Sequence, residues 1–260
     1  MTPKKTLLRE HSSRYGILFD LFRRSSNETD TIGNKLTQEI EQIKNNSKAL
    51  LDIGASDGLL AQKLYPHFEK IVGIERNKDD IYALDSLGID SYCCLWEDFD
   101  SPEKFDIVLA SHMLYYIDDE NYVKECKRMQ EYLKPEGKGF LIVNAHQNDY
   151  ANLMDTFYPI FHEGKEPFPK TNGLEKKLNQ GGIDCKSEIL TFSVNFMNPI
   201  HFLSLCGFFL GYDPQECHIL DNSLTQYYED SLKPHGNYRA KSMDVDIEMI
   251  TFSSLVQGGK

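Results

Sequence analysis

Several features that mark other classes of protein are scarce in this sequence. The six cysteines form no C-x-x-C pair, and Cys93 and Cys94 would face opposite ways in a strand, so we expect reduced, buried thiols. The longest apolar stretch, residues 196–212, contains polar residues and a proline and is too short to span a bilayer. The charged N-terminus MTPKKTLLRE lacks the apolar core of a signal peptide. These absences predict a cytoplasmic protein that does not bind membranes.

Basic residues are also scarce, because 28 Lys and Arg stand against 40 Asp and Glu, for a formal net charge of −12. Such a field repels a phosphate backbone and no basic stripe offsets it, so nucleic acid is not the expected partner. The histidines show no ligand-like spacing, which predicts no metal site. A neutral or cationic small molecule is the partner that this composition favours, while the oligomeric state stays open.

The regular feature of the chain is an alternation between residues 48 and 144. Short apolar runs, which are KALLDIG, KIVGIE, IDSYCCL, FDIVLAS and GKGFLIVN, are separated by helix-like stretches at 57–67, 78–87 and 119–133. This rhythm predicts an α/β fold with a mostly parallel sheet covered by helices on both faces.

Three regions follow from this alternation. We expect an N-terminal helical cap over residues 1–45, a cofactor-binding core over 46–147, and a segment over 148–260 that shapes the substrate pocket and closes the same domain. The elements predicted outside the core are helices at 15–24 and 37–44 joined by a polar link at 25–30, a loop-rich stretch at 150–172, a helix at 174–181, a strand at 183–196, a helix at 198–211 and an antiparallel closing strand at 244–255.

The sharpest motif is LLDIGASDGLL, residues 50–60. A strand ends near Asp52, and a turn this tight against a ligand needs Gly54 for close backbone approach and Gly58 for helix packing. Asp57 would repel a pyrophosphate, whereas Asp52 would attract a methionine amino group. The local charge therefore favours S-adenosylmethionine over a dinucleotide.

A second element, KIVGIERN, closes the next strand with Glu75. A carboxylate there can accept hydrogen bonds from both ribose hydroxyls. The glycine turn and the Glu75 carboxylate together predict a nucleoside-binding site. The alternative is that both are structural, as a glycine-containing turn and an acid that caps it.

The order of LDIGASDG, IVGIE, FDIVLASHMLYYI and LKPEGKGFLIV resembles class I S-adenosylmethionine-dependent methyltransferases over residues 49–143. The resemblance implies a Rossmann-like sheet of seven strands, with Gly54 and Ala55 at the methionine end of the cofactor and Glu75 on the ribose. It places CLWEDFD, residues 94–100, against adenine. There Trp96 would stack on the base or simply pack, and Glu97 or Asp98 would meet the exocyclic amine.

The segment LASHMLYYI leaves the same sheet edge. Ser111 and His112 should face the cofactor, and Tyr115 and Tyr116 the substrate pocket, because ligands of such sheets bind beyond the carboxyl ends of the strands. We take His112, Tyr115 and Tyr116 as candidate catalytic residues. The alternatives are that His112 only supports a neighbouring residue and that the two tyrosines pack in the hydrophobic core. No Asn-Pro-Pro-Tyr-type motif is present, which argues against nucleobase amines and glutamine amides as acceptors.

HMLYYIDD, SSNET and EMITFSSLV are similar to segments of histamine N-methyltransferases. The resemblance implies that Glu28, His112 and Glu248 contact the amine and that Tyr15, Tyr115 and Tyr116 wall the pocket. His112 and Glu248 stand at positions where that family carries amide side chains. The resemblance therefore leaves open that the acceptor is a small molecule related to histamine. Glu28 as a solvated loop acid is the alternative.

The expected function is therefore methyl transfer from S-adenosylmethionine to a small molecule, at an amine nitrogen. An O-methyltransferase, an NAD-dependent oxidoreductase and a cofactor-binding protein without catalysis are the alternatives. Asp57 and Ser56, which replaces the middle glycine of a G-x-G-x-x-G turn, disfavour the oxidoreductase.

Overall fold

The computed structural model describes residues 13–44, 48–146, 148–164, 171–213, 221–236 and 239–254. The α-helices in these ranges are α1 Ser13–Ser25, α2 Glu28–Glu41, α3 Leu59–Leu64, α4 Lys78–Ser86, α5 Tyr122–Glu131, α6 Asp149–Phe161, α7 Leu174–Gln180, α8 Pro199–Leu210 and α9 Asp221–Ser231. The strands are β1 Ala49–Ile53, β2 Lys70–Glu75, β3 Asp90–Cys93, β4 Phe105–Ser111, β5 Leu133–Asn144, β6 Cys185–Phe196, β7 Lys233–Pro234 and β8 Lys241–Ser253.

The strands form one sheet in the order β3-β2-β1-β4-β5-β8-β6, with the short β7 paired to β8. The neighbours from β3 to β5 pair in parallel, and β8 runs antiparallel to β5. This arrangement confirms the predicted α/β fold with a mostly parallel sheet. The antiparallel closing strand is also confirmed, although it begins at Lys241 rather than at 244.

The central strands are buried on both faces, which is why they read as continuous apolar runs. Leu51 and Val108 belong to the core on one face, together with Tyr122 and Met129 of α5 and Leu174 of α7. Burying these side chains stabilises the sheet, and the parallel strands then bring their carboxyl ends to one edge.

The chain divides into two compact units. The sheet unit contains the described residues of 30–144, 169–190 and 247–260, and the helical unit contains those of 1–29, 145–168 and 191–246. In the helical unit, α1 packs on α8 through aromatic rings: Phe22 stacks on Phe208 at 5.4 Å between centroids, and Phe19 lies 5.7 Å from the same ring.

Two predicted elements are wrong. Helix α2 starts at Glu28 instead of 37, so the last residues of the predicted polar link are helical; the signal was the spacing of the buried Ile32, Leu36 and Ile40. Helix α6 occupies part of the region predicted to be loop-rich. Pro159 lies inside α6 two residues before its end, where it removes one intrahelical hydrogen bond but leaves the preceding turns intact, and residues 165–170 lie outside the described ranges.

The cysteine expectation holds in part. Cys126, Cys185 and Cys206 are buried, but Cys93 is exposed and Cys94 half-buried because β3 is an edge strand. Cys217 lies outside the described residues. Within the described ranges, no helix is long and apolar enough to cross a membrane.

Candidate functional site

The turn after β1 leaves its backbone open at the carboxyl edge of the sheet. The amides of Gly54 and Ala55 both donate to the carbonyl of Ile74, at 2.8 and 3.0 Å. Gly54 has φ +75°, and a Cβ there would lie 3.1 Å from the Cβ of Met113. A side chain at Gly54 would therefore crowd Met113, and the exposed glycine fits this turn without it. Close approach of a ligand to its backbone stays a prediction.

The Glu75 carboxylate is fixed by the backbone. Its Oε2 accepts from the amide of Ser56 at 3.0 Å, and its Oε1 accepts from the amide of Asn77 at 2.8 Å. Each carboxylate oxygen has two lone pairs, so each retains the capacity to accept a hydroxyl donor. Because it reaches from β2 to the turn after β1, the side chain joins the two predicted cofactor elements.

Asp52 is the second acid of this edge. It is 3% exposed and lies opposite Gly73 of β2. Burial, followed by the negative charge of Glu75, raises the pKa of Asp52 to about 7. Two carboxyl groups at one edge favour a ligand that carries positive charge there.

The segment after β4 holds a strained histidine. His112 has φ +53°, a conformation that is costly for a residue with a side chain, and its amide donates to the carbonyl of Ile142 at 2.9 Å. Its Nδ1 lies 3.2 Å from the hydroxyl of Tyr115, which accepts from the amide of Asn144 at 2.5 Å. The structure thus links His112 and Tyr115, and Ser111 is the last residue of β4 beside them.

Tyr116 points elsewhere than Tyr115. It is 55% exposed, and the guanidinium of Arg76 lies 4.7 Å from its ring centroid. Arg76 follows β2 and Tyr116 follows β4, and β1 lies between these two strands in the sheet. The pair therefore spans the edge at which the glycine turn lies.

The structure buries Trp96 and exposes its neighbour Glu97. The indole is 4% exposed and packs against Phe99 and Tyr132, at centroid distances of 6.2 and 5.6 Å. This is the packing alternative weighed from the sequence. A role for Trp96 or Glu97 at the adenine stays a prediction.

The helical unit contains two of the predicted substrate residues, Tyr15 and Glu28. Both act electrostatically on Tyr150, whose phenol pKa is raised by burial first and by the charge of Glu28 next. The Tyr15 ring lies 5.5 Å from that of Phe208. In this unit the charge of Glu28 therefore acts on the hydroxyl of Tyr150.

Glu248, the third predicted substrate residue, belongs to the sheet unit. It lies opposite Val143 in the β5–β8 pairing. Burial raises the pKa of Cys185 to about 11, and the charges of Glu175, Asp184 and Glu248 add to the shift.

Sequence reasoning missed Asn144, Thr171 and Tyr150. Asn144 is the polar last residue of β5 at the functional edge, a signal that was readable, and its carbonyl accepts from the hydroxyl of the buried Thr171 at 3.4 Å. Tyr150 and Thr171 carried no comparable signal. Among the residues that the structure describes, no group of three His, Cys, Asp or Glu could hold a metal ion.

Comparison with known proteins gives a family match. The sequence model of a family described as "Methyltransferase domain" matches residues 24–169, more than half of the chain. A ubiquinone biosynthesis O-methyltransferase of Bradyrhizobium diazoefficiens is 34% identical over 95 residues, which are 34% of this chain and 36% of that protein. The chain thus matches about a third of this relative's length.

Solved structures share the fold. The plantazolicin methyltransferase BpumL, solved in complex with S-adenosylhomocysteine, superposes with a TM-score of 0.56 at 14% identity, over 95% of this chain and 92% of that one. A Thermotoga maritima structure described as an SAM-dependent methyltransferase and possible histamine N-methyltransferase gives a TM-score of 0.50 at 14% identity, over 93% of this chain and 94% of that one.

Proposed function

This chain belongs to the methyltransferase-domain family, and from that premise we propose that it is an S-adenosylmethionine-dependent methyltransferase with a small-molecule acceptor. The observation that carries the proposal is the pairing of the open glycine turn with the Glu75 carboxylate, which accepts from the amide of Ser56 within that turn. S-adenosylmethionine, when bound, supplies a methyl group activated by a sulfonium. The complex of BpumL with S-adenosylhomocysteine supports the same cofactor here.

The residues at the sheet edge fit this cofactor. Glu75 would hold the ribose, and the exposed Gly54 with its neighbour Ala55 would lie against the methionine end. The buried Asp52 would attract the amino group of that end. Ser111, at the end of β4, would face the same cofactor.

For the acceptor we propose a small amine, as in the histamine-type resemblance. The support is the negative charge of Glu28, which acts on the phenol of Tyr150 in the unit that also contains Tyr15, because a carboxylate in an aromatic environment suits an ammonium group. Glu248 and the exposed Tyr116 are the further substrate residues that we assign. An oxygen acceptor is the second candidate, favoured by the similarity to an O-methyltransferase.

His112 would act as a hydrogen-bond donor to the acceptor molecule. The Tyr115 oxygen accepts from the Asn144 amide, so the phenolic proton is available for the Nδ1 of His112. The neutral imidazole then carries its own proton on Nε2, which can only donate a hydrogen bond. The acceptor attacks as the neutral amine, after its ammonium form has released a proton to solvent, so positioning is the role expected of His112.

Replacing Tyr115 by phenylalanine is expected to remove the hydrogen bond that fixes the tautomer of His112. The His112 ring would lose its Nδ1 partner, and methyl transfer would fall about 10- to 100-fold because the acceptor is held less well. The nitrogen chemical shifts of His112 would move from the Nε2–H tautomer towards a mixture. Tyr82→Phe, at an exposed tyrosine of α4, is the control. An unchanged tautomer would show that Tyr115 does not orient the ring.

The proposed function is tested by two measurements on the purified chain. Isothermal titration with S-adenosylhomocysteine should show micromolar binding, and radiolabelled S-adenosylmethionine should transfer its methyl group to at least one member of a panel of amines, phenols and acids. Binding without transfer to any acceptor would favour a non-catalytic cofactor-binding protein. Binding of NAD but not of S-adenosylhomocysteine would overturn the methyltransferase proposal.

A further inference from the structure

Residues 94–100, here called the base-side segment, leave the sheet next to Glu75. Cys93 pairs with Glu75 at the end of β3, and the amide of Cys94 donates to the Glu75 carbonyl at 3.2 Å. The sheet order is β3-β2-β1. A nucleoside ligand with its sugar on Glu75 and its tail at Gly54 therefore extends its base towards this segment.

The segment itself has few internal hydrogen bonds. Its 3₁₀ turn, Trp96–Asp98, is closed by a bond from the Asp98 amide to the Leu95 carbonyl and one from the Phe99 amide to the Trp96 carbonyl. Leu95, Glu97 and Asp98 are exposed. So short a turn depends on contacts from elsewhere for a fixed shape.

Arg128 of α5 supplies such contacts. Its Nη1 donates to the Trp96 carbonyl at 2.6 Å, and its Nη2 donates to the carbonyl of Phe99. The guanidinium carbon also lies 4.2 Å from the centroid of the Trp96 ring. One side chain thus holds both ends of the turn and covers the indole.

Arginine is suited to this task in a way that lysine is not. Its planar fork donates to two carbonyls at once while its face stacks on an aromatic ring. Glu125, which is 5% exposed in its side chain, lies 3.9 Å from Nη1 and adds a negative charge near the fork. Removal of Arg128 would leave two carbonyls without this donor and uncover one side of Trp96.

We propose that Arg128 is a positioning residue for cofactor binding, which fixes the base-side segment through Trp96 and the Trp96 and Phe99 carbonyls. This inference rests on the proposed function, since it assigns the segment to the base of the cofactor. Arg128 itself lies on α5 and need not touch the ligand.

The single tryptophan of the chain makes the inference testable, because all indole fluorescence comes from Trp96. In Arg128→Ala we expect red-shifted emission, stronger quenching by acrylamide, and S-adenosylhomocysteine binding weakened about 10- to 100-fold, because binding must then order the segment that Arg128 no longer holds. Arg128→Lys should recover only part of the affinity. Lys127→Ala, at an exposed lysine of the same helix, is the control and should match wild type.

A specificity readout separates positioning from general destabilisation. The wild type should prefer S-adenosylhomocysteine to S-inosylhomocysteine, whose base lacks the exocyclic amine, and Arg128→Ala should lose this preference. Equal affinity and preference in Arg128→Ala and wild type would overturn the inference and leave the proposed function standing. No binding by the wild type would overturn the proposed function itself. If Arg128→Ala does not fold, Arg128→Gln, which keeps one donor, gives the same comparison.

Discussion

Glu75→Ala is expected to weaken the binding of S-adenosylhomocysteine by about 100-fold or more. Two ribose hydroxyls donating to one carboxylate form charge-assisted hydrogen bonds, each contributing about 1.5–3 kcal/mol, and a loss of about 3 kcal/mol corresponds to about 100-fold in affinity. The substitution also removes the acceptor of the Ser56 and Asn77 amides, which shape the turn. Isothermal titration measures the change directly.

The matched controls separate ribose binding from folding. Glu131→Ala removes an exposed acid at the end of α5 and should leave the affinity unchanged. Glu75→Gln keeps the shape and one acceptor oxygen, so its affinity should fall between those of Glu75→Ala and the wild type. A folded Glu75→Ala variant that binds as tightly as wild type would contradict the ribose assignment.

Asp52 is expected to link cofactor binding and stability to pH. Its carboxyl has a pKa of about 7 in the folded protein against an ordinary value of 3.8. The folded state therefore holds this proton more tightly than the unfolded state does. Asp52 therefore lowers the free energy of unfolding as the pH rises. This destabilisation is absent well below pH 4, grows as the carboxyl ionises in the unfolded state, and reaches on the order of 4 kcal/mol above pH 7.

Asp52→Asn removes this dependence. Relative to the wild type, the free energy of unfolding of the ligand-free variant should rise between pH 4 and pH 7 and then stay level, as measured by urea unfolding at each pH. At low pH, the difference in the free energy of unfolding between Asp52→Asn and the wild type reports how well the amide side chain fits the site. Parallel unfolding curves for the two proteins over this range would show that Asp52 titrates normally.

The same carboxyl should respond to the cofactor. A bound amino group favours the ionised form of Asp52, so binding of S-adenosylhomocysteine near pH 6 should release a proton, and affinity should be about 10-fold higher at pH 8 than at pH 6. Titrations in buffers of different ionisation enthalpy detect the proton. Asp52→Asn should bind weakly at both pH values and release no proton from this site.

The sequence alone determined the elements whose signals are local. The strands around β1, β2 and β4 follow from apolar runs, and the roles expected of Gly54 and Glu75 follow from a turn and a strand end that lie close together in the chain. Helix α6 escaped prediction because the prolines nearby suggested a break, whereas Pro159 lies in the last turn of the helix and breaks only a hydrogen bond there.

Only the tertiary structure decided which distant residues meet. The amide of Asn144 reaches the hydroxyl of Tyr115 because β5 pairs with β4, and Arg128 covers Trp96 because α5 packs on the sheet behind the base-side segment. The packing of Trp96 also depends on this neighbour. Such contacts join residues about 30 positions apart in the chain, and the order of strands in the sheet, set by the burial of both faces, brings them together.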